Sequence, residues 1–174
     1  MTKNYPEKII LHHSGVDSSG NQLTAINRYH KSRGFPLSEL GWYVGYHELI
    51  EKDGRIIKTR ESYEEGAHTL NDWNRKSIGI CLIGNFHVHA PTQAQLVALQ
   101  GLIDKYNLPY IFHKDADERR TCAGRYLTRD LVESKREPDP ILEIEKREEL
   151  KKYLSLLQRL VAQLQKLLSL LVNK

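Results

Sequence analysis

Apolar and polar residues along the first 130 positions alternate between strand and helix periods. Residues 8–13 (KIILHH) open with three consecutive aliphatics, the mark of a buried strand, and two histidines stand where that strand leaves the core. Residues 21–33 repeat apolar positions at helical spacing, with Leu23, Ile26 and Tyr29–His30 on one side, and Gly34 closes the run. Residues 43–50 and 55–59 read as two strands joined by EKDG, a hairpin signal. SIGICLIG, residues 77–84, is apolar enough for a buried strand. Thr92 followed by Gln95 is a capping box, and it opens a helix to about Tyr106 with Leu96, Leu99 and Ile103 inward. PYIFH, residues 109–113, is a short strand ending in histidine, and residues 124–132 predict a last helix. SKREPDPI then places two prolines among charges, a boundary, beyond which the chain reads as helical to its end. Strands interleaved with helices predict an α/β fold: a central mixed β-sheet flanked by helices, plus a long C-terminal amphipathic helix. The expected domains are residues 1–136 and 137–174.

Composition changes this picture little: 40% hydrophobic and 28% charged residues suit an ordinary globular chain with one proper core. The start MTKNYPEKII lacks an apolar segment after a basic one, so no signal peptide is expected. No run of about 18 uncharged apolar residues predicts a spanning helix. Charge changes more. Residues 150–174 hold five of the basic residues and no acid, leaving 21 basic against 22 acidic residues elsewhere, so the net +4 belongs to the tail. No nucleic-acid partner is predicted.

The tail also carries a heptad. With Leu150 as a, the a and d positions are Leu150, Tyr153, Leu157, Leu160, Leu164, Leu167 and Leu171. Leu154, Val161 and Leu168 fill e, and Leu156 and Leu170 fill two g positions, so the apolar stripe exceeds a dimeric seam. Such a helix needs cover. The expectation is a homo-oligomeric bundle through residues 150–174, contact with an anionic membrane, or packing on the catalytic domain, with self-association favoured and membrane binding compatible with it.

Two cysteines are too few for a disulfide framework. Cys81 sits in an apolar run, as a small hydrophobe would. Cys122 sits in the basic turn RRTCAGR, which is expected to lower its pKa and favour thiolate. Among eight histidines, His12 and His113 are each expected to close a strand, and Cys122 follows His113 by nine residues. His, His and Cys are good zinc ligands, and three protein ligands leave a fourth position for water. Spacing alone leaves open that His113 is a satisfied strand-end histidine and Cys122 an incidental thiol. His87 and His89 read as a solvated pair.

Six blocks in order resemble one family: ILHHSG, GYHELIEKDGRI, GAHT, NRKSIGICLIGNF, TQAQLVALQGLI and the segment from His113 to Cys122. They are similar to the zinc-dependent N-acetylmuramoyl-L-alanine amidases, the family of phage amidase lysozymes and peptidoglycan recognition proteins, over roughly residues 8–130. The resemblance implies zinc held by His12, His113 and Cys122, with His13 on the opposite strand face. It implies cleavage of the amide between the lactyl group of N-acetylmuramic acid and L-alanine by a zinc-activated water. Tyr46 matches the family's tyrosine near that water. Arg120 stands where phage members often carry lysine. It stays charged, so it suits oxyanion stabilisation rather than proton transfer. A His113–Cys122 interval one residue longer than in phage lysozymes leaves Arg119 as the alternative, and Ala123 replaces a usual proline. His68 and Asn74 are candidate substrate contacts, Asn74 also as a holder of its loop.

The implied protein is an endolysin, made in the cytoplasm and acting on peptidoglycan of the cell wall after release. The rivals are a muropeptide-recycling amidase, which would leave intact sacculi untouched, and a binding module without turnover. Relatives that only bind lack the cysteine ligand, and Cys122 is present.

Overall fold

The structure is a computed structural model that describes residues 3–17, 21–134, 150–161 and 163–165. By contact density the chain divides into two units, Met1–Arg136 and Glu137–Lys174.

In the first unit five strands form one sheet in the order β3-β2-β4-β1-β5. They are β1 (Lys8–His13), β2 (Glu48–Ile50), β3 (Ile56–Lys58), β4 (Ser77–Leu82) and β5 (Tyr110–Phe112). β1 runs parallel to β4 and β5, β2 runs parallel to β4, and β3 closes the edge antiparallel to β2. The sheet is mixed, as the interleaved pattern predicts. Its helices are α1 (Gln22–Ser32), α2 (Gln93–Tyr106), the single turn α3 (His113–Ala116) and α4 (Arg129–Glu133).

Strand alternation divides the side chains between two layers. Ile9 and Leu11 of β1, with Ile78, Ile80 and Leu82 of β4, join Leu96, Leu99, Leu102 and Ile103 of α2 in the larger core. Cys81 faces the other way, into a smaller cluster with Val44, Leu49 and Ile83, against which Leu23 and Ile26 of α1 pack. α2 is fixed at its start by the predicted capping box: Gln95 N–H donates to Thr92 Oγ1 and Thr92 N–H to Gln95 Oε1, each at 3.1 Å. Its end is tied to β2, where the buried Glu48 carboxylate accepts from Tyr106 at 2.7 Å and Lys105 at 3.2 Å.

Three expectations need correction. The strand predicted over residues 43–50 shrinks to Glu48–Ile50. Before it, Gly45 N–H bonds His30 Nδ1, the Val44 carbonyl accepts from Arg60 Nε and the Gly45 carbonyl accepts from the Ala67 N–H, so side chains and a loop rather than a neighbouring strand satisfy residues 44–45. His113 does not close β5 but opens α3, where Asp115 accepts the Phe112 N–H at 3.0 Å. The last helix starts at Arg129 rather than Gly124, because Thr128 caps it and Gly124 turns with φ +83°. In the second unit residues 150–161 and 163–165 are helical. The proline-rich boundary and the heptad beyond Gln165 lie outside the described residues.

Candidate metal centre and cleft

Topology brings the donor residues together. β1 and β5 are parallel neighbours, paired up to Leu11 and Phe112, and one step further each chain reaches a histidine. His12 and His113 therefore meet at the carboxyl edge of the sheet, with ring centroids 4.5 Å apart. Cys122 returns to the same edge, its Sγ accepting the His13 N–H at 3.3 Å and lying 3.7 Å from His12 Nδ1. One donor atom from each of His12, His113 and Cys122 lies within 4.8 Å of the others. Among the described residues no other group of three His, Cys, Asp or Glu has this closeness.

The electrostatics suit a cation. His12 is held well below its ordinary pKa, first by burial and then by His68, His113 and His13. His113 is lowered by burial and by Arg120. Both imidazoles are thus neutral at pH 7 with a lone pair to give. His113 Nε2 is buried and has no hydrogen-bond partner. Such a donor set, two neutral imidazoles and a sulfur with an orphaned ring nitrogen, fits a zinc-type cation. The expected low thiol pKa of Cys122 is corrected: burial pushes it up to about 11, outweighing the His13 N–H and Arg120. Metal binding would have to displace that proton.

His68 lies behind His12. Its Nδ1 is 3.0 Å from His12 Nε2, so His12 with Nε2 protonated donates there and keeps Nδ1 for the cysteine side. The His68 ring lies against two glycines: a Cβ on Gly79 or on Gly66 would stand 2.5 Å from its Cδ2. Asn74 holds the loop from below, its Oδ1 accepting the N–H groups of His68 and Thr69 and its amide donating to the Thr69 carbonyl. His13 faces away and accepts the Phe86 N–H at 2.9 Å. His47 is wholly buried between β4 and the Glu64 carbonyl. His87 and His89 do not form a pair: His87 meets Thr121, and His89 binds Asp17 at 2.8 Å.

A cavity of about 390 Å³ opens beside His113, walled also by Tyr46, His68, Asn74 and Arg120 and, at the C-terminal end of α1, by Arg33. Tyr46 is half-buried, its ring 5.1 Å from that of His12. Burial, then Cys81 and Cys122, hold its phenol well above the ordinary value, so it stays protonated. Arg120 lines the cavity, whereas the Arg119 guanidinium is engaged by both Asp117 carboxylate oxygens at 2.9 and 3.2 Å. A second recess of about 350 Å³, walled by Val16, Ala25 and Ile26, shares Tyr29, His30 and Tyr46 with the first. The α1 wall is the part that sequence reasoning missed. His30, Arg33 and Tyr29 recur at helical spacing, which signals a buried face without saying whether it faces core or cleft.

A mixed sheet thus carries at the carboxyl ends of its strands a His-His-Cys cluster able to hold a metal ion. The chain belongs to the N-acetylmuramoyl-L-alanine amidase family, whose profile matches residues 2–125. It is 34% identical over 101 residues to peptidoglycan-recognition protein SC2 of Drosophila melanogaster, a match that covers 58% of this chain and 54% of that protein. It is 33% identical over 104 residues to the endolysin of Enterobacteria phage T3, covering 56% of this chain and 64% of that one. The chain thus spans about half the length of the first of these relatives and under two thirds of the second. Among solved structures it is similar to the N-acetylmuramoyl-L-alanine amidase LysC from Clostridium intestinale, with 31% identity, a TM-score of 0.62, and coverage of 76% of this chain and 85% of that chain.

Proposed function

We propose that residues 1–136 form a zinc amidase that cuts the bond between the lactyl carbonyl of N-acetylmuramic acid and L-alanine, and that the protein acts as an endolysin on the cell wall. The observation that carries the reading is the convergence of His12, His113 and Cys122, with His113 lining a cleft that also holds a protonated phenol and a guanidinium. The family match and the likeness to a phage endolysin and to an amidase structure support it. When bound by these three donors, zinc would lower the pKa of a water and polarise the carbonyl. The protein's own groups do the rest. The neutral Tyr46 phenol orients the attacking water and relays the proton that this water gives up to the leaving amine, so that the phenol ends the step protonated. The Arg120 guanidinium stabilises the oxyanion. His68 fixes the tautomer of His12, and Asn74 fixes His68.

The test is digestion of purified peptidoglycan by chelator-stripped protein, before and after zinc is restored, with products assayed for new L-alanine amino termini. Zinc-dependent release is expected, and Cys122→Ser should abolish both zinc retention and release. Arg120→Ala should lower kcat by about 10²–10³ with zinc content unchanged. Digestion of intact sacculi distinguishes an endolysin from an enzyme confined to soluble muropeptides. Binding of peptidoglycan with no release by the zinc-loaded protein would overturn the catalytic reading.

A further inference from the structure

We propose that the C-terminal helix is a docking element for an anionic phospholipid surface, on which it lies with its apolar arc inward. The proposal concerns residues outside the cleft and does not depend on which bond the cleft cuts.

Eight large apolar side chains are exposed on residues 150–164, from Leu160 at 47% to Leu150 at 69%, the others being Tyr153, Leu154, Leu156, Leu157, Val161 and Leu164. At 100° per residue all eight fall within an arc of roughly 160°. The opposite arc holds Lys151, Lys152 and Arg159 among Ser155, Gln158, Gln163 and Gln165. This is a clean division into an apolar half and a cationic half, the pattern of a helix that lies in a lipid interface. Among the described residues no helix is long and apolar enough to cross a membrane, so the contact is side-on.

Charge decides between the occupants. From Lys151 to the last residue the sequence has five bases and no acid. A second copy of the tail would bring another five positive charges and no acid to pair with them. Its flanking e and g positions, Leu154, Val161 and Leu156, are apolar, so no charged pair sets a register between copies. The rest of the chain is nearly neutral, with 21 basic against 22 acidic residues, and its local acidic excess, six acids against two bases over residues 137–149, precedes the helix rather than running along it. An anionic bilayer supplies both what the apolar arc and what the basic arc lack.

The experiment is co-sedimentation of the full-length protein with vesicles of phosphatidylcholine alone or mixed with phosphatidylglycerol. Binding to the mixed vesicles is expected to be at least about 10-fold stronger and to weaken with added salt. Lys151→Gln, Lys152→Gln and Arg159→Gln together should weaken it by about 100-fold. Leu157→Asp with Leu160→Asp should remove it, while Cys122→Ala should bind vesicles as the parent does, which separates this proposal from the amidase reading. Equal binding to both vesicle types would overturn the proposal. So would absence of vesicle binding, whether sedimentation equilibrium then reports self-associated chains or a monomer whose tail resists protease by packing on its own catalytic unit.

Discussion

The ring of His68 rests on the backbone of Gly66 and Gly79, and that contact makes two residues without side chains part of the metal-facing geometry. A methyl on Gly79 would stand 2.5 Å from His68 Cδ2 and 2.7 Å from its Nε2, a separation that no rotamer of a buried ring absorbs cheaply. Gly79→Ala should therefore push His68 off His12 Nε2, leaving His12 free to turn. Zinc affinity should fall by about 10–100-fold, as it does when a ligand loses its orienting partner. Isothermal titration of the apo variant checks this, and unchanged affinity would mean that His68 does not hold His12. At this scale the sequence was uneven evidence. His12 and Cys122 were legible because strand-end position and six ordered motifs point to them. The state of the Cys122 thiol was misread, since neighbouring arginines are visible in a sequence and burial is not. Arg33 and His30 went unnoticed because a helix face reads the same whether it meets a core or a cleft.

Between elements, His47 links β4 to the loop at Glu64: its Nδ1 accepts the Gly79 N–H at 2.9 Å and its Nε2 meets the Glu64 carbonyl at 3.0 Å. Burial, with Arg60 and Lys58 adding to it and the Glu64 carbonyl opposing, lowers its pKa from 6.5 to about 4. Asn4 and His68 complete its surroundings. The folded state thus resists protonation that the unfolded chain accepts. The stability held by neutral His47 is complete above pH 6.5 and is lost progressively as pH falls to about 4, a loss of ~3 kcal/mol. Urea midpoints measured from pH 7 to 4 should fall at least that much, since His13 and His30 are also lowered to about 4, and His47→Gln should make the fall shallower while lowering stability at pH 7. The α2 cap gives a second expectation. Thr92 receives the Gln95 N–H and donates its own hydroxyl to the Lys52 carbonyl, so Thr92→Ala should cost about 1–2 kcal/mol in the same assay. α1, α2, β1 and β4 were readable because their signals are local: caps, a closing glycine, runs of aliphatics. β2 was overextended because the partners of residues 44–45 are side chains of His30 and Arg60 and the Ala67 N–H of a loop, which no local pattern announces.

Across the whole molecule, the buried core and the exposed apolar helix fall in different units. Met1–Arg136 encloses its own two-layer core, and every element that shapes the cleft lies within it. Glu137–Lys174 contributes no residue to either core cluster or to the cleft among the described residues. The two prolines of SKREPDPI fall beside this division, and the heptad read from the sequence begins further on, at Leu150. A protein ended after Arg136 should therefore keep what depends on the core and the donors. Its thermal unfolding should stay cooperative, it should bind one zinc, and its turnover of soluble muropeptide should stay within about two-fold of the full chain, since a unit with its own core folds by itself. What it should lose is attachment to anionic vesicles. A truncated protein that unfolds without a cooperative transition, or that releases zinc, would show instead that the tail is part of the catalytic fold.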